Sequence, residues 1–437
     1  MNKKQEIATV SRLNTKPRII PRDQHTISRD LISENALKVL YRLKNAGYKS
    51  YLVGGGVRDI LLGRQPKDFD VVTDAKPEQI RELFRHCRLI GRRFRLAHVH
   101  FRNEIIEVST FRAPHHVSDE GEGHVQDGRI VRDNVYGDID DDVWRRDFTV
   151  NALFYNIADF SVVDYVGGVN DLNERKLRLI GDPVQRYIED PVRMLRAVRF
   201  ASKLGLDIHA DAVAPIPKYA DMLENIPPAR LFEEVLKLFM AGHAIKTFEL
   251  LRQHRLFKYL FPQTDKLIDS EANNYSACFI KQALVNTDQR LAEGNTVSPG
   301  FLLAAFLWEP MRREAEEHMG HGLPEMEAIQ LAGDAVISRQ IASTSMPKRF
   351  SQMARDIWSL QVRLKKIAKR PFKVLSNNRF RAAYDFLLLR AQAGEQLSEC
   401  IEYWTQQQLE ESMPIINKPR SDTKQNRRRR RRPRDKD

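Results

Sequence analysis

With 437 residues, 42% hydrophobic and 30% charged, the chain has the composition of a globular protein of about two to four domains, and no run approaches the roughly 20 apolar residues that a membrane helix needs. The formal net charge is +13; eleven Lys or Arg against three Asp place +8 of it between Lys418 and Asp437 and leave +5 for the rest. Three isolated cysteines, Cys87, Cys278 and Cys400, offer neither a disulfide framework nor a paired zinc motif, and the basic start lacks the apolar stretch of a secretory signal, so a cytoplasmic location is expected.

Residues 1–30 lack hydrophobic periodicity and read as a flexible arm. A helix is expected through "SENALKVLYRLKNAG", capped by Ser33 and stopped by Gly47. Strand-like runs follow at "YKSYLVGG", "DFDVVTD", "AHVHFRN", "EIIEVSTF" and "SVVDYVGG", with one helical run, "PEQIRELFRH", among them. Strands and helices do not alternate regularly, so the expectation is a small mixed sheet in an α/β unit. From about Asp182 onward apolar residues recur at helical spacing between Pro and Gly breaks, and this half reads as all-α.

Gly54, Gly55 and Gly56 follow an apolar strand and open a short helical run, Val57 to Leu62, that Gly63 can terminate. Such a turn is either a tight connection or a phosphate site, since backbone N–H groups at a helix start attract anions, and Arg58 adds a cation. No Gly-Lys-Ser/Thr follows, and Asp59 stands where a dinucleotide motif needs glycine. Twelve residues on, Asp68 and Asp70 project from one side of a strand about 6.6 Å apart while Phe69 and Val71 face a core. Two such carboxylates suit magnesium ions engaged in phosphoryl transfer. Strand alternation makes Glu107, on one face with Ser109 and Phe111, the candidate third carboxylate. His98 and His100 share a face, but no third ligand accompanies them, so packing is their expected role.

In "WRRDFTVNALFYN", Arg146 is a candidate phosphate clamp, and Asp147 either receives a ribose hydroxyl or caps a following helix. The acidic run Asp138, Asp140, Asp141 and Asp142 reads as a solvated loop. Asp190 and Pro191 mark a helix start. Along that helix Arg193, Arg196, Arg199 and Lys203 form a cationic stripe, which must face acidic side chains or a triphosphate.

The segments "LVGGGVRDILLG", "DFDVVTDA", "IEVSTFR", "RRDFTVNAL", "IEDPVRMLRAVRF" and "PPARLFEEVLKLF" resemble the class II nucleotidyltransferases, which include bacterial poly(A) polymerases and tRNA CCA-adding enzymes. The resemblance spans about Ile32 to Phe261 and implies a head of polymerase-β type followed by helical neck, body and tail. It implies a head at 31–168, a nucleotide- and RNA-binding neck at 169–262 and an RNA-binding body at 263–410, which follow the flexible arm at 1–30 and precede a basic tail at 411–437 whose self-repelling charge should leave it disordered. It further implies that Asp68 and Asp70 hold two Mg2+ ions, with Glu107 beside them. ATP would be bound by Gly55, Gly56, Arg58, Arg146 and Asp147 and by Asp190 and Arg193 at the base edge; the cationic stripe adds Arg196 and Arg199 as candidates.

The stretch "LIGRRFRLAHVHF" and the arginine-rich tail resemble the poly(A) polymerase branch, whereas the Thr-Gly…His-Gly-Thr pattern of CCA-adding enzymes is absent. The basic segment "VRLKKIAKRPFK" brings Lys365, Lys366, Lys369 and Arg370 together near Phe372, Phe380 and Tyr384, which could stack on RNA bases. In the tail, Arg427, Arg428, Arg429, Arg430, Arg431 and Arg432 suit RNA, an anionic membrane or a protein surface. The expected enzyme is a monomer that adds AMP from ATP to RNA 3′ ends without a template, releases pyrophosphate, promotes RNA turnover and meets RNA-decay or RNA-chaperone proteins. Its rivals are a CCA-adding enzyme and a non-catalytic RNA-binding protein.

Overall fold

The computed structural model describes residues 16–91, 95–113, 124–126, 129–132, 135–270, 275–367 and 371–412. Residues 1–15, Lys369, Arg370 and the arginines 427–432 therefore lie outside the described residues.

A mixed sheet of eight strands organises the front of the chain. Its strands are β1 (Arg18–Ile20), β2 (Ser50–Val53), β3 (Asp70–Thr73), β4 (Cys87–Ile90), β5 (Leu96–His100), β6 (Ile105–Thr110), β9 (Leu153–Asn156) and β10 (Val162–Asp164), in the order β1-β10-β9-β2-β3-β6-β5-β4. β7 (His124–Gln126) and β8 (Arg129–Arg132) form a separate antiparallel pair. β3 and β6 run parallel and the other pairs in the large sheet antiparallel. Helices α1 (Glu34–Asn45) and α3 (Pro77–Leu83) bury Val39, Leu43 and Ile80 in one core with Val71 and Val108. Ser33 caps α1 by accepting the Ala36 N–H at 3.0 Å, and Gly47 takes φ +88° after it. The opposite face carries Val53, Val72, Phe111 and Phe154, covered by α4 (Ile139–Arg145) through Val143.

Three sequence expectations need correction. The described part of the N-terminal arm is built in: Arg18, Ile19 and Ile20 pair with Asp164, Val163 and Val162, Ile27 is fully buried, and His25 Nε2 lies 2.9 Å from the Phe160 carbonyl. A three-residue strand is too short to show a period. The acidic run starts a helix: Asp138 accepts the Asp141 N–H at 3.0 Å, Asp141 accepts the Asp138 N–H at 3.3 Å, and carboxylates in a first turn complement the helix dipole. No α-helix follows Asp147; a 3-10 turn at Thr149–Asn151 leads into β9. Because Leu153, Phe154 and Tyr155 are all fully buried, that strand reads as a continuous apolar run, which periodicity cannot distinguish from a helix.

From α6 (Pro183–Glu189) onward the chain is mainly helical, as expected. α5 (Gly168–Asn173) straddles the expected 168/169 boundary and packs on the Thr149–Asn151 turn. α7 (Val192–Leu204) lies against helices Pro228–Phe239 and Ala244–Gln253. The core continues from there into helices Pro299–Phe306, Trp308–Gly320, Glu325–Ser343 and Lys348–Leu364. A second cluster, centred on Trp404 with Leu364, Phe380 and Tyr384, closes the C-terminal end.

Candidate active site

Gly54 ends β2 with φ +69° and ψ −126°, a backbone that only glycine adopts readily. This turn starts α2 (Gly55–Leu61), placing Gly55 and Gly56 at the helix N-terminus. A Cβ added at Gly56 would touch Phe69 at 3.4 Å and the Asp68 carbonyl at 3.6 Å, so the turn lies directly against the aspartate segment.

Phe69 and Val71 enter the core on one face, leaving Asp70 on the opposite face with Val72. The parallel register pairs Asp70 with Glu107, and Glu107 pairs in turn with His98 on β5. His98 Nε2 sits 3.4 Å from Glu107 Oε2, and the His98 and His100 rings are 6.3 Å apart. Asp68 is exposed, Asp70 reaches solvent although neighbouring atoms crowd its carboxyl, and the Glu107 side chain is 43% exposed. The edge offers carboxylate oxygens, which suit a hard cation. Magnesium retains waters and substrate phosphates among its ligands, so open carboxylates fit it even though no three acidic, His or Cys side chains among the described residues form a ready-made cage.

The Asp70 carboxyl is raised to about 6, by the packing around it first and by Glu107 next, while Arg146 opposes the rise. Its unfolded counterpart titrates near 4, so the folded chain binds more protons between about pH 4 and 6, and stability from this group is lost as the pH rises through that window. Without added metal, Asp70→Asn should therefore be more stable than the parent at neutral pH, with the two urea midpoints converging near pH 4. A constant difference across that range would count against this linkage.

Arg146 lies beside the glycine turn, 3.6 Å from where a Gly54 Cβ would be. It donates to Asp142 Oδ2 at 3.0 and 2.8 Å and to the Asn151 carbonyl at 3.4 Å, and sits 5.1 Å over the Phe154 ring. Arg58 is buried. It donates to Asp59 at 2.8 Å and to Asn151 Oδ1 at 2.5 Å. Asn151, which sequence reasoning passed over, also donates to Asp147 Oδ1 at 3.1 Å and thus joins the glycine turn to the next motif. Its signal was a polar residue inside a buried apolar run.

Burial alone would raise the Asp147 carboxyl, but Arg196 beside it and hydrogen bonds from Asn151, Arg196 and the Phe148 N–H bring it below the usual range. Oδ1 accepts from Phe148 N and Asn151, and Oδ2 accepts twice from Arg196. A carboxylate has about four acceptor positions, so this arrangement leaves none for a ribose hydroxyl.

The stripe on α7 meets acids. Arg193 donates to Glu189 at 2.8 Å and Arg199 lies 3.6 Å from Glu234. Arg58, Arg196 and Arg199 surround the Phe200 ring at 5.4, 5.3 and 4.8 Å. The expected cap of α7 is Asp190, but the cap position falls one residue on, at Pro191; Asp190 Oδ1 still accepts the Val192 N–H at 3.2 Å, and Oδ2 accepts from Arg230 at 2.6 Å, so acceptor capacity remains. Arg186 connects the two groups: it donates to the carbonyls of Arg145 and Arg146 and to Glu189, which also receives Arg193.

Lys365 and Lys366 are exposed beyond the helix Lys348–Leu364. Phe380 and Tyr384 are each only 6% exposed and pack in the Trp404 cluster, so they cannot stack on a base as expected. Of the three aromatic candidates, Phe372 is the exposed one.

Known proteins are similar to this chain in sequence and in fold. Residues 50–178 match the Poly A polymerase head domain, 205–268 the probable RNA and SrmB-binding site of polymerase A, and 321–436 the polymerase A arginine-rich C-terminus. Poly(A) polymerase I of Escherichia coli O6:H1 is 50% identical over 398 residues, covering 90% of this chain and 86% of that protein. A CCA-adding enzyme of Staphylococcus epidermidis is 31% identical over 229 residues, 52% of this chain and 55% of its own length. The crystal structure of the Bacillus stearothermophilus CCA-adding enzyme with CTP shares the fold at TM-score 0.55 and 24% identity, covering 86% of this chain and 82% of that one.

Proposed function

The chain belongs to the poly(A) polymerase family, and from that membership we infer a polynucleotide adenylyltransferase that adds AMP from ATP to RNA 3′ ends without a template and releases pyrophosphate. The observation that carries this is likeness along nearly the whole chain to a poly(A) polymerase, against likeness to the CCA-adding enzyme over about half of it.

In this reading the 3′-hydroxyl gives up its proton to solvent as its oxygen bonds to the α-phosphorus of ATP, and the bond from that phosphorus to the oxygen bridging it to the β-phosphate breaks, so that pyrophosphate leaves with the bridging oxygen. The glycine turn presents backbone N–H groups to the triphosphate, and Arg146, held by Asp142, adds positive charge beside it. Asp68 and Asp70 would hold two magnesium ions next to Glu107. When bound, such ions sharpen the attacking hydroxyl and offset charge on the departing pyrophosphate. Asp147 and Asn151 keep Arg58 and Arg196 in place, and Asp190 with Arg193 meets the base edge. Arg199, paired with Glu234, completes the cationic wall.

Lys365 and Lys366 in the body, with Lys369 and Arg370, and the arginines of the tail give the RNA its phosphate contacts, whose strength should fall with salt. No described helix is long and apolar enough to cross a membrane. A cytoplasmic monomer that promotes RNA turnover with RNA-decay or RNA-chaperone partners completes the proposal.

The test offers each nucleoside triphosphate separately to an RNA of generic 3′ end and to a tRNA lacking its terminal CCA. Long tails from ATP alone on the generic RNA are expected. Addition confined to CCA on the tRNA would instead identify the rival activity.

A further inference from the structure

Ile367 and Phe372 are each 68% exposed, more than any other large hydrophobic side chain among the described residues. The local core does not use them, because Leu360, Leu364, Val374 and Trp404 already close the cluster beneath. Leaving both in water opposes the hydrophobic effect. They also lie in a one-sided stretch of charge: from Ile357 to Tyr384 the sequence has eight Lys or Arg and neither Asp nor Glu. Lys365 and Lys366 precede Ile367 in the sequence, Lys373 follows Phe372, and all three are exposed. Lys365 comes within 3.8 Å of Glu325, whereas Lys366 and Lys373 have no carboxylate partner among the described residues.

We propose that this surface docks single-stranded RNA, with Phe372 stacked on a base, Ile367 packed beside it, and Lys365, Lys366 and Lys373 at phosphates. The proposal rests on RNA being the substrate, and it specifies how the body holds it. Stacking on an aromatic face accepts any base, which suits both varied RNA ends and a homopolymer tail that advances one nucleotide per addition. Paired bases are stacked on each other and closed to such a ring, so a duplex would gain only from the lysines. A membrane surface would also attract those lysines, but Phe372 begins a helix of four residues, Phe372–Leu375, too short to lie as an amphipathic helix in an interface.

The experiment compares full-length parent, Phe372→Ala, Phe372→Trp and Lys366→Ala/Lys373→Ala for binding to oligoadenylate of about 20 nucleotides and to an RNA duplex of equal length, across a salt series. Phe372→Ala should bind the single strand about tenfold more weakly with an unchanged salt slope and unchanged duplex binding, and Phe372→Trp should restore affinity. The double lysine variant should instead reduce the salt slope on the single strand by about 1.4, at about 0.7 per lost contact. Parent-like binding by Phe372→Ala, an equal loss on both RNAs, or a lowered melting temperature in that variant would overturn the proposal. The same variants are also measured for binding to vesicles containing phosphatidylserine, and a loss confined to those vesicles would place the surface on a membrane and overturn the proposal as well. AMP incorporation by the parent is scored separately: its absence would sink the polymerase reading, while the binding outcomes decide the docking surface.

Discussion

Replacing Asp68 or Asp70 by alanine should reduce AMP incorporation by about 10³-fold or more, the scale of losing a preorganised electrostatic element in a reaction centre, while the melting temperature does not fall below that of the parent. The two halves of this expectation have separate physical bases. Activity depends on these carboxylates because phosphoryl transfer offers the protein little covalent work beyond positioning and charge stabilisation, and they lie against the glycine turn, opposite Arg146 and alongside Glu107. Stability does not depend on them in the same way: Asp68 is exposed, and Asp70 reaches solvent only past atoms that, with Glu107, disfavour its charge. Asp68→Ala or Asp70→Ala that retained parent-like incorporation at saturating magnesium would remove both from the reaction centre. Loss of activity together with early melting would point to a structural role.

Gly168→Ala should lower kcat by about 10²-fold from a position outside the nucleotide groups. A Cβ there would lie 2.3 Å from the Thr149 carbonyl oxygen and 2.9 Å from its carbon, a backbone collision that no rotamer can relieve. Neither side can easily yield. The start of α5 is pinned by Asp164, whose carboxylate accepts the N–H groups of Val166, Gly167, Gly168 and Val169 at 2.9–3.1 Å. On the facing turn, Thr149 donates to Asp171 at 2.6 Å and its N–H bonds the Arg178 carbonyl. The displacement passes to Asn151, two residues on, which aligns Arg58 and Asp147; a shift of about 1 Å in such a group can cost about 10²-fold. Gly167→Ala is the control. Its φ of +79° makes alanine strained, but nothing lies within 4 Å of the added carbon, so it should lose stability while retaining kcat. Equal kcat values for the two variants would exclude the collision as the cause.

Legibility differed from residue to residue. The placement of Asp70 and Glu107 on one face followed from alternation, because β3 and β6 each bury one face in the main core. The glycine turn was equally local, since φ at Gly54 is a property of one residue. The rest depended on partners that only the fold supplies. The pairing of Arg18–Ile20 needs β10, the bridging role of Asn151 needs both Arg58 and Asp147, and the burial of Phe380 and Tyr384 needs the arrival of Trp404. Asp147 illustrates the limit most sharply: its chemistry pointed to a ribose, but Arg196, 49 residues away in sequence, takes up its second oxygen.

The pairing of Arg18 with Asp164 also bears on how the molecule is made. On a ribosome that releases about 5–20 residues per second, the first strand waits about 7–30 s for a partner encoded 146 residues later. The central strand waits too, because Tyr51 pairs with Asn156. For most of that interval the nascent head carries apolar strands with open edges. Slower translation between the codons for residues 20 and 164 would lengthen that exposure, and co-translational chaperones would find their binding surface there, well before the basic tail has been synthesised.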